Sequence, residues 1–150
     1  MKSCVLILLP FALAACGAFP RDPEETLRTI ERDHLIRVGL VADPQPIDDG
    51  RARALIGMVE RQTQARAQIE TGATEPLLMK LDRGELDMVI GPVSGDTPWR
   101  TDVALGPPLA IRGTKDDRTE LVAAMRNGEN RWIMLVERAS HAVGPEASGR

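Results

Sequence analysis

The 150-residue chain has no tyrosine, two phenylalanines, two tryptophans, two cysteines and two histidines. So few aromatics, with scattered basic residues and a formal net charge of −3, leave neither stacking platforms nor a basic stripe, which excludes nucleic-acid binding. His34 and His141 lie far apart with no ligand-type neighbour at i+4, so no metal-binding spacing exists. Ser94, Ser140 and Ser148 have no nearby base, and no phosphate-cradling glycine loop is present. The residues therefore read as those of a protein that is not an enzyme, needing no cofactor. No apolar run reaches the ~20 residues that span a bilayer.

What is present begins at the N-terminus. Met1 and Lys2 give a short positive region, and Val5 to Ala15 is an apolar run of signal-peptide length. The run ends in Leu13-Ala14-Ala15-Cys16, which looks like a bacterial lipobox. Small residues let a signal peptidase approach the bond before Cys16, whose thiol then accepts lipid. Two acyl signals suffice for stable anchoring, so a lipidated Cys16 would hold the domain permanently on a membrane. With Cys4 removed and Cys16 lipidated, no disulfide remains, and the fold rests on its core.

The expected organisation is a signal peptide over 1–15, a tether over 16–21, one folded lobe over 22–143 and a disordered tail over 144–150. Asp22, Pro23 and Glu25 have the pattern of a helix start, as N-cap, first helical residue and capping-box partner. Ile36 to Val41 reads as a strand, followed by a Pro- and Asp-rich loop. Arg51 to Thr63 reads as a helix, because Ala52, Leu55, Ile56 and Val59 fall at i, i+3, i+4 and i+7. Ala65 to Glu70 reads as a second strand, and Thr74-Glu75-Pro76 as the cap of a helix reaching Arg83 and closed by Gly84. Leu86 to Ile90 is a nearly continuous apolar run, as in a strand buried on both faces, breaking at Gly91-Pro92 into a polar loop. This alternation predicts an α/β fold with a mostly parallel open sheet flanked by helices. Ile111 to Glu120 reads as loop and Leu121 to Met125 as strand. Over Arg131 to Ala139 both strand and helix fit: Asn127-Gly128 signals a hairpin, whereas Trp132, Val136 and Ala139 share a helical face.

Ordered elements of one family pattern occur along this stretch. Leu81, Gly84, Asp87, Val89-Ile90 and Gly91 are followed by Thr97-Pro98-Trp99-Arg100 and by the apolar Val103 to Pro107. In this order and spacing the chain resembles the periplasmic solute-binding proteins of ABC transporters, of the amino-acid-binding type (family 3). The likeness runs from about Thr26 to Pro108, with a weaker echo from Val122 to Ala139. It implies a type 2 solute-binding lobe and favours a helix over residues 131–139. The resembled proteins insert a second lobe after the Pro-terminated segment, but here about a dozen residues separate Pro108 from Leu121. The expectation is a single lobe.

The resemblance also implies a site. The arginine of T-x-x-R grips the ligand carboxylate in that family, which points to Arg100, with Thr97 and the Ser94 loop supplying further donors. Ligands in open α/β sheets sit outside the carboxyl ends of strands, where this loop belongs. Asp43, with Asp48 and Asp49, reads either as a cation- or amine-binding group or as turn-forming residues. The loop at Asp43-Pro44-Gln45-Pro46 lacks the aromatic that commonly stacks on the family's ligand. The implied partners are a small carboxylate or amino-acid ligand, an inner-membrane transporter and, through the anchor, a membrane on the periplasmic side of the bacterial envelope. The rival reading is an accessory envelope lipoprotein that kept the lobe and lost its ligand.

Overall fold

Apolar side chains alternate between the two faces of one sheet, and the unequal covering of those faces shapes the molecule. The structure, a computed structural model, describes residues 22–43, 48–94, 97–114 and 117–145, without the side chains of Pro98 and Arg100. The elements are α1 (Thr26–Asp33), β1 (Leu35–Val41), α2 (Asp49–Thr63), β2 (Arg66–Gly72), α3 (Thr74–Asp82), β3 (Met88–Ser94), a 3₁₀ turn (Pro98–Thr101), β4 (Val103–Leu105), β5 (Ala110–Arg112), β6 (Thr119–Arg126) and α4 (Asn130–Val143). The strand order is β2-β1-β3-β6-β4, with β5 pairing a further stretch of β6. β1 pairs in parallel with β2 and β3, while β6 runs antiparallel to β3, β4 and β5, so among the described strands β6 alone is reversed. The result is an open α/β sheet, mostly parallel at its core, in a single lobe.

One face of the sheet is thickly covered. Ile36, Val38, Met88, Ile90, Ala123 and Met125 pack against α2 through Leu55 and Val59, and against α4 through Trp132 and Val136. The predicted stripe of α2 is fully inside, with Ala52, Leu55, Ile56 and Val59 all buried. Each fully buried aliphatic side chain contributes roughly 1.5–3 kcal/mol. The opposite face carries a smaller cluster in which α3 supplies Leu77, Leu78 and Leu81 against Val89, Val103 and Ala124. Helix α3 sits close because Gly39 presents no Cβ to Leu86 and Leu77. One nine-residue helix cannot cover this face, and it stays partly open at the carboxyl end of the strands.

Residues 131–139 are helical, within α4, the alternative that the resemblance favoured. Several other sequence expectations need correction. The first helix starts at Thr26 rather than at Pro23, and the Asp22 carboxylate accepts a hydrogen bond from the Arg131 amide of α4 (2.8 Å) instead of capping α1. The amides of Glu24 and Thr26 are bonded by Glu129, the residue before α4 (2.8 Å each). Helix α2 begins at Asp49, two residues before the expected start. Ala73, without a side-chain cap, precedes α3, so Thr74 is its first residue and not its cap. Strand β3 continues through Gly91-Pro92 to Ser94. Its pairing with β1 ends at Ile90, so Pro92 lies where one edge of the strand is already unpaired. The expected loop over 111–120 contains the end of β5 and the start of β6. Gly144 closes α4 by donating to the Ser140 carbonyl, and residues 146–150 of the expected tail lie outside the described residues. The proposed signal peptide, tether and lipobox lie outside them too; among the described residues no helix is long and apolar enough to cross a membrane.

Candidate functional site

The opening of the sheet starts at Gly91. A Cβ there would overlap the side chain of Val41, so glycine lets that side chain at the end of β1 lie close against β3 at this point. Beyond the Leu40–Ile90 pair the two strands separate, and a cleft of about 330 Å³ opens on the thinly covered face. Its floor is Val89, Gly91, Val122 and Ala124. One wall is the start of α3, with Thr74, Glu75 and Leu78; the other is Trp99 of the 3₁₀ turn with Val103 and Leu105. Ser94 and Thr97 stand at the mouth. Trp99 is half-buried against the smaller cluster, so it both anchors the turn and faces the cleft.

Of the residues expected at a site, the fold gathers Ser94 and Thr97 into this cleft. Thr97 is also the N-cap of the 3₁₀ turn, its hydroxyl accepting from the Trp99 amide at 3.5 Å. Arg100 follows Trp99 within that turn, which puts its backbone beside the mouth; its side chain lies outside the described residues. Asp43 is not in this group. It lines a smaller depression of about 200 Å³ with Asp48, Asp49 and Thr71, joined to the first cleft only through Val41, Gly91 and Pro92. Asp48 there caps α2, accepting from the Arg51 amide (3.0 Å) and pairing with the Arg51 guanidinium (3.2 Å). Arg51 in turn donates to the carbonyls of Leu109 and Val143, so Asp48 works through Arg51 in holding α2, α4 and the β4–β5 connection together. Among the described residues no cluster of histidine, cysteine or carboxylate side chains could hold a metal ion.

Glu75 was missed at the sequence level. It is the single charged side chain among the described residues lining the larger cleft, exposed in the first turn of α3, where the helix dipole favours an anion. Its position was legible in principle: the first turn after β2 must lie at the carboxyl edge of the sheet. Asp87 stands just before β3, at its amino end. It accepts from the Arg37 amide (2.7 Å) and guanidinium at the edge opposite the cleft and is structural.

No protein-family model and no curated protein sequence matches the chain. Solved structures do match. A point mutant of the arginine-bound form of domain 1 from TmArgBP, the arginine-binding protein of T. maritima, superposes with a TM-score of 0.65 at 17% identity, over 83% of this chain and 99% of that one. An ancestral cationic amino acid solute-binding protein, AncCDT-1, gives 0.65 at 12% identity, over 83% and 95%. An amino acid ABC transporter substrate-binding protein of Streptococcus pneumoniae bound to L-arginine gives 0.65 at 9%, over 83% and 93%. At such identities the shared property is the fold: a single lobe of the kind found in amino-acid-binding solute-binding proteins.

Proposed function

We propose that the chain is a small-solute binding module of the bacterial envelope, lipid-anchored through Cys16, that takes a carboxylate or amino-acid ligand at the carboxyl edge of its sheet. The observation that carries this is the cleft itself, opening beside the turn that bears Arg100, with Ser94 and Thr97 at its mouth. The fold neighbours support the ligand class, among them one described as the arginine-bound form of domain 1. Arg100 would hold the carboxylate through paired guanidinium donors, which contributes about 1.5–3 kcal/mol, and a Thr97 donor adds about 1 kcal/mol. Together these give about 2.5–4 kcal/mol, and the upper end corresponds to a dissociation constant near 1 mM. No second lobe intervenes between β4 and β6 to exclude water and strengthen these bonds.

Titration of the protein with acetate and with amino acids tests the reading. Arg100→Ala should abolish binding while changing stability by no more than roughly 0.5 kcal/mol, as an ordinary surface change does. Binding that persists in Arg100→Ala would remove the proposed site, and binding tighter than micromolar would require a partner that closes the cleft. The anchor and a docked transporter are separate parts of the proposal. Cys16→Ser should leave unprocessed or mislocalised precursor, and a variant processed and membrane-bound like the parent would refute lipidation. A second reading, an accessory lipoprotein without ligand, draws on the use of Thr97 and Asp48 as caps. A screen in which no carboxylate binds would favour it.

A further inference from the structure

We infer that the ligand is a carboxylate bearing an apolar side chain of branched-aliphatic or aromatic type, with that side chain held in the cleft beneath Trp99; the inference rests on the carboxylate reading above. The cleft floor is Val89, Gly91, Val122 and Ala124, and three of its wall residues are Leu78, Val103 and Leu105. Its size, about 330 Å³, is at the lower end of the range for small-molecule sites, which are mostly apolar with a few polar groups fixing orientation. Here the polar groups, Thr74, Glu75, Ser94 and Thr97, all belong to the ends of elements at the carboxyl edge, and none comes from the floor. A guanidinium or ammonium lowered onto that floor would lose its water, and the one acid among the described lining residues, the exposed Glu75, belongs to the α3 wall and not to the floor, which leaves the burial unfavourable. An alkyl or aryl group would lose only unfavourable contact with water. This chain would therefore differ in preference from the fold neighbours described as arginine-bound or as binding cationic amino acids.

The molecule provides its own reporter. Trp99 faces the cleft, whereas Trp132, the other tryptophan, is buried on the opposite face of the sheet. Tryptophan emission of the full chain would be followed on titration with acetate, L-leucine, L-phenylalanine, L-arginine and toluene, with Trp99→Phe as the control that should lose the signal. Leucine and phenylalanine should change the emission and bind about tenfold or more tightly than acetate, as burial of one such side chain implies, with arginine no tighter than acetate. Ala124→Phe, which fills the floor, should bring leucine down to the level of acetate. If that variant does not fold, Leu105→Thr, in the half-buried wall, should weaken leucine more than acetate. Arginine binding as tightly as leucine, with both lost in Arg100→Ala, would overturn this inference and keep the carboxylate site. A response to toluene with none to any carboxylate would overturn the carboxylate reading beneath it while leaving the apolar cleft. Emission unmoved by every probe would overturn the inference.

Discussion

Glu129 is fully charged chemistry in an almost fully buried place, with 1% of its surface exposed. Burial alone would raise its pKa, yet the value is lowered overall. The amides of Glu24 and Thr26 both donate to the carboxylate, and Arg126 lies close enough to favour the anion. A carboxyl whose folded pKa is below its unfolded value stabilises the fold above the ordinary glutamate value, near 4.5. That contribution is lost as pH falls from there through the lowered folded value. Glu129→Gln should therefore cost about 1–3 kcal/mol at pH 7, since an amide replaces one accepting oxygen with a donor facing another donor. The penalty should shrink below pH 4.5, where the parent loses the same interaction. Urea melts of both proteins at pH 7 and pH 3.5 would show it, and a pH-independent difference would remove the electrostatic account. Ser140 presents the opposite case. Its hydroxyl is buried without a hydrogen-bond partner among the described residues, so Ser140→Ala should leave stability unchanged or raise it by up to about 1 kcal/mol.

At the scale of elements, two helix N-termini exchange their caps. Asp22, before α1, serves the amide of Arg131 in α4, and Glu129, before α4, serves the amides leading into α1. Asp22→Ala should then lower stability by about 0.5–2 kcal/mol, in the range for a lost N-cap. Amide exchange should quicken in the first turn of α4 as well as around α1; protection lost only near α1 would mean that the exchange of caps is not what fixes the two helices. This pairing also marks the limit of sequence reading. Asp22-Pro23 followed by Glu25 has the spacing of a local capping box, and no sequence signal says that its oxygen faces a helix more than a hundred residues away. Where the pattern depended on burial it was legible: the α2 stripe, the buried β3 and the end of α3 at Gly84 all follow from apolar spacing and one left-handed glycine. Where it depended on neighbours it was not. Gly91-Pro92 reads as a break until β1 is seen to stop beside it, and Arg112, Thr119 and Glu120 read as loop although β5 and β6 pair there. Of the site, Ser94 and Thr97 were legible as residues of one loop, while Glu75, Leu78 and Val122 reach the same cleft only through the sheet order.

For the whole molecule, the short path from β4 to β6 determines how binding must look. Leu105 to Thr119 passes through Gly106, the prolines and the short β5, with a tight left-handed turn at Gly113, and it builds no second jaw. Two-lobed binding proteins close about a hinge around their ligand. A single lobe has no such coordinate, so saturation with ligand should leave the radius of gyration of the full chain unchanged. Its stabilisation should follow mass action alone. At a dissociation constant near 1 mM, 10 mM ligand adds about 1.4 kcal/mol, a rise in Tm of roughly 4–6 °C for a domain of this size. Small-angle scattering and thermal melts on one preparation measure both quantities. A Tm rise far above that range with contraction of the particle would mean that the lobe closes on something, and a doubling of mass in the same measurement would identify it as a second copy. A rise within the range at constant dimensions is what a site on a single lobe produces, because the ligand gains only the contacts that β3, β4, β6, α3 and the 3₁₀ turn supply, with water on its other side.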